Sequence, residues 1–213
     1  MKKEFLKQNM DLRRICFYAG PGAGKSSTAA KVFAQMKVLG YDVEHITEFV
    51  KKWAHEKKHP TSFDPLYIFA KQLHNEDVIL KNVLHVVTDS PLLLQTAYAK
   101  LHHFRAFKSL IDIVHEFEQQ FPPLNFFIDR SVDYVPKGRY QTYKEAVDFD
   151  KFLLDFLDEY LVGELIHVKI DEFDNKRFNQ TYQNAWNKFI KNLLKDENIS
   201  YSLIRDMYSN VAI

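Results

Sequence analysis

The stretch CFYAGPGAGKSST, Cys16 to Thr28, sets three glycines and one lysine between an apolar run and a run of helix formers. Few folds accept that order. Gly20, Gly22 and Gly24 let backbone amides turn toward one point, where a bulky side chain would block the approach. A helix beginning near Gly24 adds the positive end of its dipole at that point. Lys25 brings a full charge there and Ser26 a hydroxyl. The result is an anion cradle where a strand hands over to a helix, which requires a sheet with helices packed against it.

The rest of the chain supplies such a sheet. Apolar runs of strand length alternate with helical patterns, the mark of a parallel sheet covered by helices on both faces. The expected strands are Arg14 to Ala19, Val43 to Thr47, Val83 to Asp89, LNFFIDR from Leu124, and Leu165 to Ile170. A helix is predicted from about Gly24 to Leu39 with Gly40 as its stop, and a short one through Trp53. Asp64-Pro65 and Ser90-Pro91 both read as a capping residue followed by a proline in the first turn. Phe107, Leu110, Ile111, Val114 and Phe121 stripe a further helix that Pro122-Pro123 ends. Thr142 and Glu145 fit a capping box, which predicts a helix from about Tyr143 to Tyr160. Phe178, Tyr182, Trp186, Phe189 and Leu193 stripe a last long helix, and the tail from Ile199 has no clear pattern.

Ala19-Gly20-Pro21-Gly22-Ala23-Gly24-Lys25-Ser26 matches the Walker A pattern G-x-x-x-x-G-K-[ST], with Ala19 in place of the first glycine. The chemistry expected of it is to hold the β-phosphate of a nucleoside triphosphate. Lys25 would lie on the β- and γ-oxygens and Ser26 would offer its hydroxyl to Mg²⁺. Gly20, Gly22, Ala23, Gly24, Lys25, Ser26 and Ser27 are the candidate nucleotide contacts, with ATP and Mg²⁺ as the implied ligands.

A chain of 213 residues that is 46% hydrophobic can bury one sizeable core, so residues 1–213 are expected to form a single domain, its core about 12–195. Twenty-nine Lys and Arg against 28 Asp and Glu leave a formal charge of +1, with none of the global basic field that points to nucleic acid. MKKEFLKQNMDLRR is not followed by an apolar stretch of signal-peptide length, and no segment approaches the roughly 18 apolar residues of a membrane span. A cytoplasmic protein with no membrane partner, monomeric or homodimeric, is expected. The one cysteine, Cys16, lies inside the first apolar run and reads as a buried thiol. Nine histidines complete no zinc set.

Where strand ends gather, a parallel sheet binds its ligands. Glu48, Asp89 and Asp129 are expected at that edge. Asp89 ends its strand as a Walker B carboxylate does, holding Mg²⁺ directly or through water, or else it is a plain helix cap. Glu48 stands where a base could take the proton of an acceptor hydroxyl, or it is a surface glutamate in a helix first turn. Trp53 covers an acceptor ring or belongs to the core. The loop of about 130–142 carries Arg130, Lys137 and Arg139, either as cations that close over a moving phosphoryl group or as a solvated charged segment.

With the loop motif, the TEF element, TDSPLL and DR...KGR in this order, the chain resembles the nucleoside and nucleotide kinase branch of P-loop proteins. It most resembles the ribosylnicotinamide kinase-like domain of bacterial NAD-regulator proteins and its phage-encoded relatives, over roughly Ile15 to Leu193. ITEFVKKW also looks like the E-P-V-x-x-W segment of deoxynucleoside kinases. The resemblance implies an α/β P-loop NTPase fold of three layers, a five-stranded parallel sheet in the order 2-3-1-4-5 and a lid loop. It implies a kinase that moves the γ-phosphate of ATP to a hydroxyl of a nucleoside-like acceptor: nicotinamide riboside, a deoxynucleoside, or a hydroxymethylated base, free or in DNA. A phage-encoded protein would work in the host cytoplasm. Catalytic roles pass to Lys25, Glu48, Asp89, Arg130 and Arg139, metal binding to Ser26 and Asp89, and acceptor contacts to Glu48, Trp53, Tyr67 and Gln72. Ser90 stands where related kinases place an arginine, and the lid holds few arginines, which leans toward a hydroxyl acceptor. The other readings are a nucleoside monophosphate kinase and, of a different class, a P-loop ATPase or nucleotide-dependent switch.

Overall fold

Arg14–Tyr18 forms β1, and all five residues are buried. Cys16 and Tyr18 enter one hydrophobic cluster, while Ile15, Phe17 and Ala19 enter another. A strand covered on both faces has no need for polar alternation, which is why this stretch reads as a near-continuous apolar run. The structure, a computed structural model, describes residues 14–38, 40–56, 58–131, 134 and 141–169.

Around β1 the chain adds α1 (Lys25–Val38), β2 (Val43–Ile46), α2 (Lys51–His55), α3 (Asp64–Leu80) and β3 (His85–Thr88). It continues through α4 (Leu92–Leu101), α5 (Phe107–Gln120), β4 (Pro123–Asp129), α6 (Tyr143–Tyr160) and β5 (Leu165–Lys169). The strands form one five-stranded sheet in the order β2-β3-β1-β4-β5, and every pairing is parallel. Ile15 is registered with Val87 on one side and Leu124 on the other, so β1 lies at the centre. Val32 and Met36 of α1 pack in the cluster on one face. Residues of α3, α4, α5 and α6 pack in the cluster on the other, which gives three layers.

Cap chemistry sets two of the helix ends. Gly40 has φ +80°, and the amides of Gly40 and Tyr41 reach the carbonyls of Lys37 and Met36, both at 3.0 Å, closing α1. Thr142 and Glu145 make both halves of the capping box that opens α6.

Two helix starts differ from the sequence reading. Asp64 does not cap α3; its carboxylate turns back to accept from the Thr61 amide (2.9 Å) and hydroxyl (3.2 Å). Phe63 takes the cap position without a side-chain bond, and Pro65 keeps its place in the first turn. In α4 the cap position belongs to Pro91, with φ −56° and ψ 150°, and Ser90 caps nothing. Pro91 itself is extended, so the helix begins one residue later than expected, and the Ser90 hydroxyl instead accepts from the Gln95 side-chain amide.

At the start of β1 a charged cluster is sealed inside the protein. Arg14 Nε donates to Glu76 of α3 at 2.8 Å and Nη1 donates to Glu118 of α5 at 3.2 Å, with Gln72 Nε2 donating to Glu76 at 3.1 Å. The guanidinium also lies 5.1 Å from the centre of the Phe117 ring. Burial alone would favour loss of the Arg14 charge, but Glu76 first, with Cys16, Glu118 and Tyr18, holds its pKa above the ordinary value. Burial pushes the Glu118 carboxyl upward against the pull of Arg14. This network ties α3 and α5 to β1.

The predicted helix striped by Phe178 to Leu193 and the tail from Ile199 lie outside the described residues, as does Ile170. Among the described residues no helix is long and apolar enough to cross a membrane.

Candidate nucleotide site

β1 delivers the chain to Ala19 at the edge of the sheet, and α1 begins six residues later at Lys25. Between them Gly22 has φ +81° and Gly24 φ +95°, backbone that an L side chain enters only with strain. The Ala23 amide reaches the Gly20 carbonyl at 3.5 Å, and the Thr28 amide reaches Gly24 at 3.0 Å as α1 sets in. Ala23 is fully buried in the core cluster behind the loop. The loop therefore takes the left-handed turns that its glycines permit and is anchored in the core through Ala23. Lys25 Nζ folds back to donate to the carbonyls of Ala19 (2.7 Å) and Gly20 (3.3 Å). Burial lowers the Lys25 pKa, opposed by the carboxylates of Glu48, Asp89 and Asp150.

Asp89 follows β3 directly and is 2% exposed. Its Oδ1 accepts from the Glu48 amide at 3.1 Å, a bond that ties the segment after β2 to the end of β3. Glu48 is half-buried, and its carboxyl is pushed up by burial first and by Asp89, against the lowering pull of Lys25 and Lys51. Ser26 sits in the first turn of α1, and its Oγ accepts from Lys51 Nζ at 3.4 Å. Lys25, Ser26, Glu48 and Asp89, all singled out from the sequence, thus meet at one corner.

Arg130 is brought to the same corner. Its Nε donates to Asp150 Oδ2 at 2.8 Å and its Nη2 to the Pro21 carbonyl at 3.0 Å, and its side chain is 9% exposed. Asp150 Oδ1 in turn accepts from the Gly20 amide at 2.5 Å. A buried carboxylate needs a buried cation, so Arg130 acts as a strut between α6 and the loop. A Cβ at Gly20 would lie 2.5 Å from Asp150 Oδ1 and 2.9 Å from the Ala146 carbonyl, so this close approach demands glycine. Gly20, read as a nucleotide contact, thus gives its amide to α6. Sequence reasoning missed Asp150. Its signal was the spacing Ala146, Asp150, Leu153, Leu157, which places one acid on the buried stripe of a helix.

Trp53 is 8% exposed and 52%-exposed Tyr67 lies parallel to it, ring centroids 6.2 Å apart and planes 13° apart. Phe49 meets both rings edge-on, at 6.1 and 5.8 Å. The Lys58 ammonium stands 3.6 Å from the centre of the Trp53 ring. Gln72 does not join this group; it is buried and donates to Glu76 in the Arg14 cluster. Tyr98 of α4 stacks on Phe149 (4.4 Å, 14°), and burial, then Glu48 and Asp150, holds its phenol well above the ordinary value. That residue also escaped the sequence reading. Asp129 leaves the corner to pair with His167 at 2.9 Å, and Ser27 is exposed. Lys137 and Arg139 lie outside the described residues.

The arrangement suits a magnesium nucleotide. Gly22 and Gly24 hold left-handed backbone beside a lysine and a helix start, and the nearly buried Asp89 carboxylate acts on that lysine.

A family model described as an AAA domain matches residues 14–176. A solved structure titled as the crystal structure of APE1195 is 16% identical, covers 83% of this chain and 95% of its own, and superposes with a TM-score of 0.44. No curated protein matches.

Proposed function

The chain belongs to the AAA domain family, a nucleotide-binding P-loop group, and on that premise we propose that it is a kinase transferring the γ-phosphate of ATP to a hydroxyl of a nucleoside-like acceptor. The observation that carries this reading is Glu48. A half-buried carboxyl tied by its own backbone to Asp89, and raised toward neutrality by burial, has the attributes of a general base beside a phosphate cradle. Tyr67, 52% exposed and backed by Phe49 and the buried Trp53, offers flat surface to an acceptor ring. Nicotinamide riboside, a deoxynucleoside and a hydroxymethylated nucleotide are the acceptors to which the sequence resemblance extends this reading.

In this mechanism the amides of Gly22 to Ser26 and the Lys25 ammonium hold the phosphate chain. Ser26 and Asp89 would hold magnesium, which when bound would neutralise charge on the phosphates. Glu48 accepts the acceptor's hydroxyl proton as the oxygen–phosphorus bond forms. The bond from the γ-phosphorus to the bridging oxygen breaks, its electron pair leaving with ADP. Arg130 and Asp150 keep the loop in place during transfer.

Incubation with γ-labelled ATP, magnesium and a panel of nucleosides, nucleotides and oligonucleotides tests the reading. Label is expected on a nucleoside hydroxyl. Label on the phosphate of a nucleoside monophosphate, or only in inorganic phosphate, overturns it.

A further inference from the structure

Of the cations at this corner, Lys25 donates to the carbonyls of Ala19 and Gly20, and Arg130 donates to Asp150 and the Pro21 carbonyl while its buried Nη1 has no partner among the described residues. Lys51 is different. It is the first residue of α2, it is exposed, and its ammonium lies 3.4 Å from Ser26 Oγ. It also bears on Glu48, whose carboxyl it draws downward against burial. One lysine therefore touches the hydroxyl expected at the metal and acts electrostatically on the expected base.

The geometry points to Lys51 as a second phosphate-contacting cation, reaching the terminal phosphoryl group from the acceptor side. This deepens the proposed function and rests on it for the step in which the contact is used. A group carried beyond Ser26 lies within reach of an ammonium already at that hydroxyl, and the flexible four-carbon stem can follow phosphate oxygens as they move. Lys25 is carried at the start of α1 and Lys51 at the start of α2, so charge would reach a phosphate chain from two elements. Lys51 would favour the terminal phosphate over the inner ones, because Lys25 and the loop amides are the groups expected to hold the β-phosphate.

Equilibrium affinities for magnesium-ATP and magnesium-ADP, measured by calorimetry on the full chain, test this without any acceptor. Lys51→Met is expected to weaken ATP binding roughly ten-fold, as for the loss of one charge-assisted contact, and to leave ADP binding within about two-fold. Lys51→Arg is expected to restore the ATP preference. Equal loss for both nucleotides, or no loss for either, overturns the assignment. Thermal unfolding of each variant guards against misreading, since an exposed lysine should leave the melting temperature unchanged. Should the labelled panel show no transfer to any hydroxyl, the kinase reading falls while the ATP-to-ADP ratio still reports on Lys51.

Discussion

Glu48→Gln is expected to lower transfer to a hydroxyl acceptor by about 10²- to 10⁴-fold, the range over which a positioned base acts, while magnesium-nucleotide binding persists. The pH profile adds a direction. Glu48 works as the carboxylate, and burial, followed by Asp89, raises its carboxyl above the ordinary 4.5. Activity should therefore climb with pH through that raised value, the limb lying closer to neutrality than an exposed glutamate would give. Glu48→Gln should lack the limb, and Glu48→Asp should keep it at reduced rate. Profiles of kcat/KM for the three proteins decide the matter. Equal activity of the wild type and Glu48→Gln would remove Glu48 as the base.

The second large effect falls on stability, far from the nucleotide. Glu76→Leu is expected to destabilise the fold by about 3–5 kcal/mol, because it leaves the buried Arg14 guanidinium short of its main partner. Gln72 would lose its acceptor in the same change. Among the described residues Arg14 Nη2 already has no partner, so the cluster has nothing in reserve. Against a total stability of roughly 5–15 kcal/mol, one substitution would remove a large share. Replacing the three charges together, Arg14→Met with Glu76→Leu and Glu118→Leu, should recover part of the loss, since apolar packing needs no charge balance and only the Gln72 amide stays unpaired. Denaturant unfolding of the single and triple variants checks both statements. A single variant within about 1 kcal/mol of the wild type would contradict them.

Much of the fold was legible because its signals are local. RICFY, a glycine loop and a helix in succession specify a strand-to-helix turn, and Thr142 with Glu145 opens α6 where the capping pattern placed it. Parallel strands buried on both faces leave apolar runs that need no knowledge of their neighbours. Gly22, Gly24, Lys25, Ser26, Glu48 and Asp89 were legible because strand and helix boundaries place them at one sheet edge.

What escaped is pairwise and distant. Arg14 looks like an ordinary strand start until Glu76 and Glu118, 62 and 104 residues away, fold onto it. Arg130 and Asp150 stand 20 residues apart, and only the fold pairs them. Lys51 belongs to a charged pair, Lys51-Lys52, in which only the fold distinguishes the member that reaches Ser26. The misplaced caps have another origin. Proline and aspartate permit more than one turn, and the choice between them lay with the Thr61 amide and the Gln95 side chain.

The central claim is that the loop between β1 and α1 binds a magnesium nucleotide through Lys25. Titration calorimetry of the purified chain with magnesium-ATP, run beside Lys25→Ala, tests it most directly. Saturable uptake by the wild type and its loss in the variant is the predicted result; no uptake by the wild type, or equal uptake by both, would contradict it.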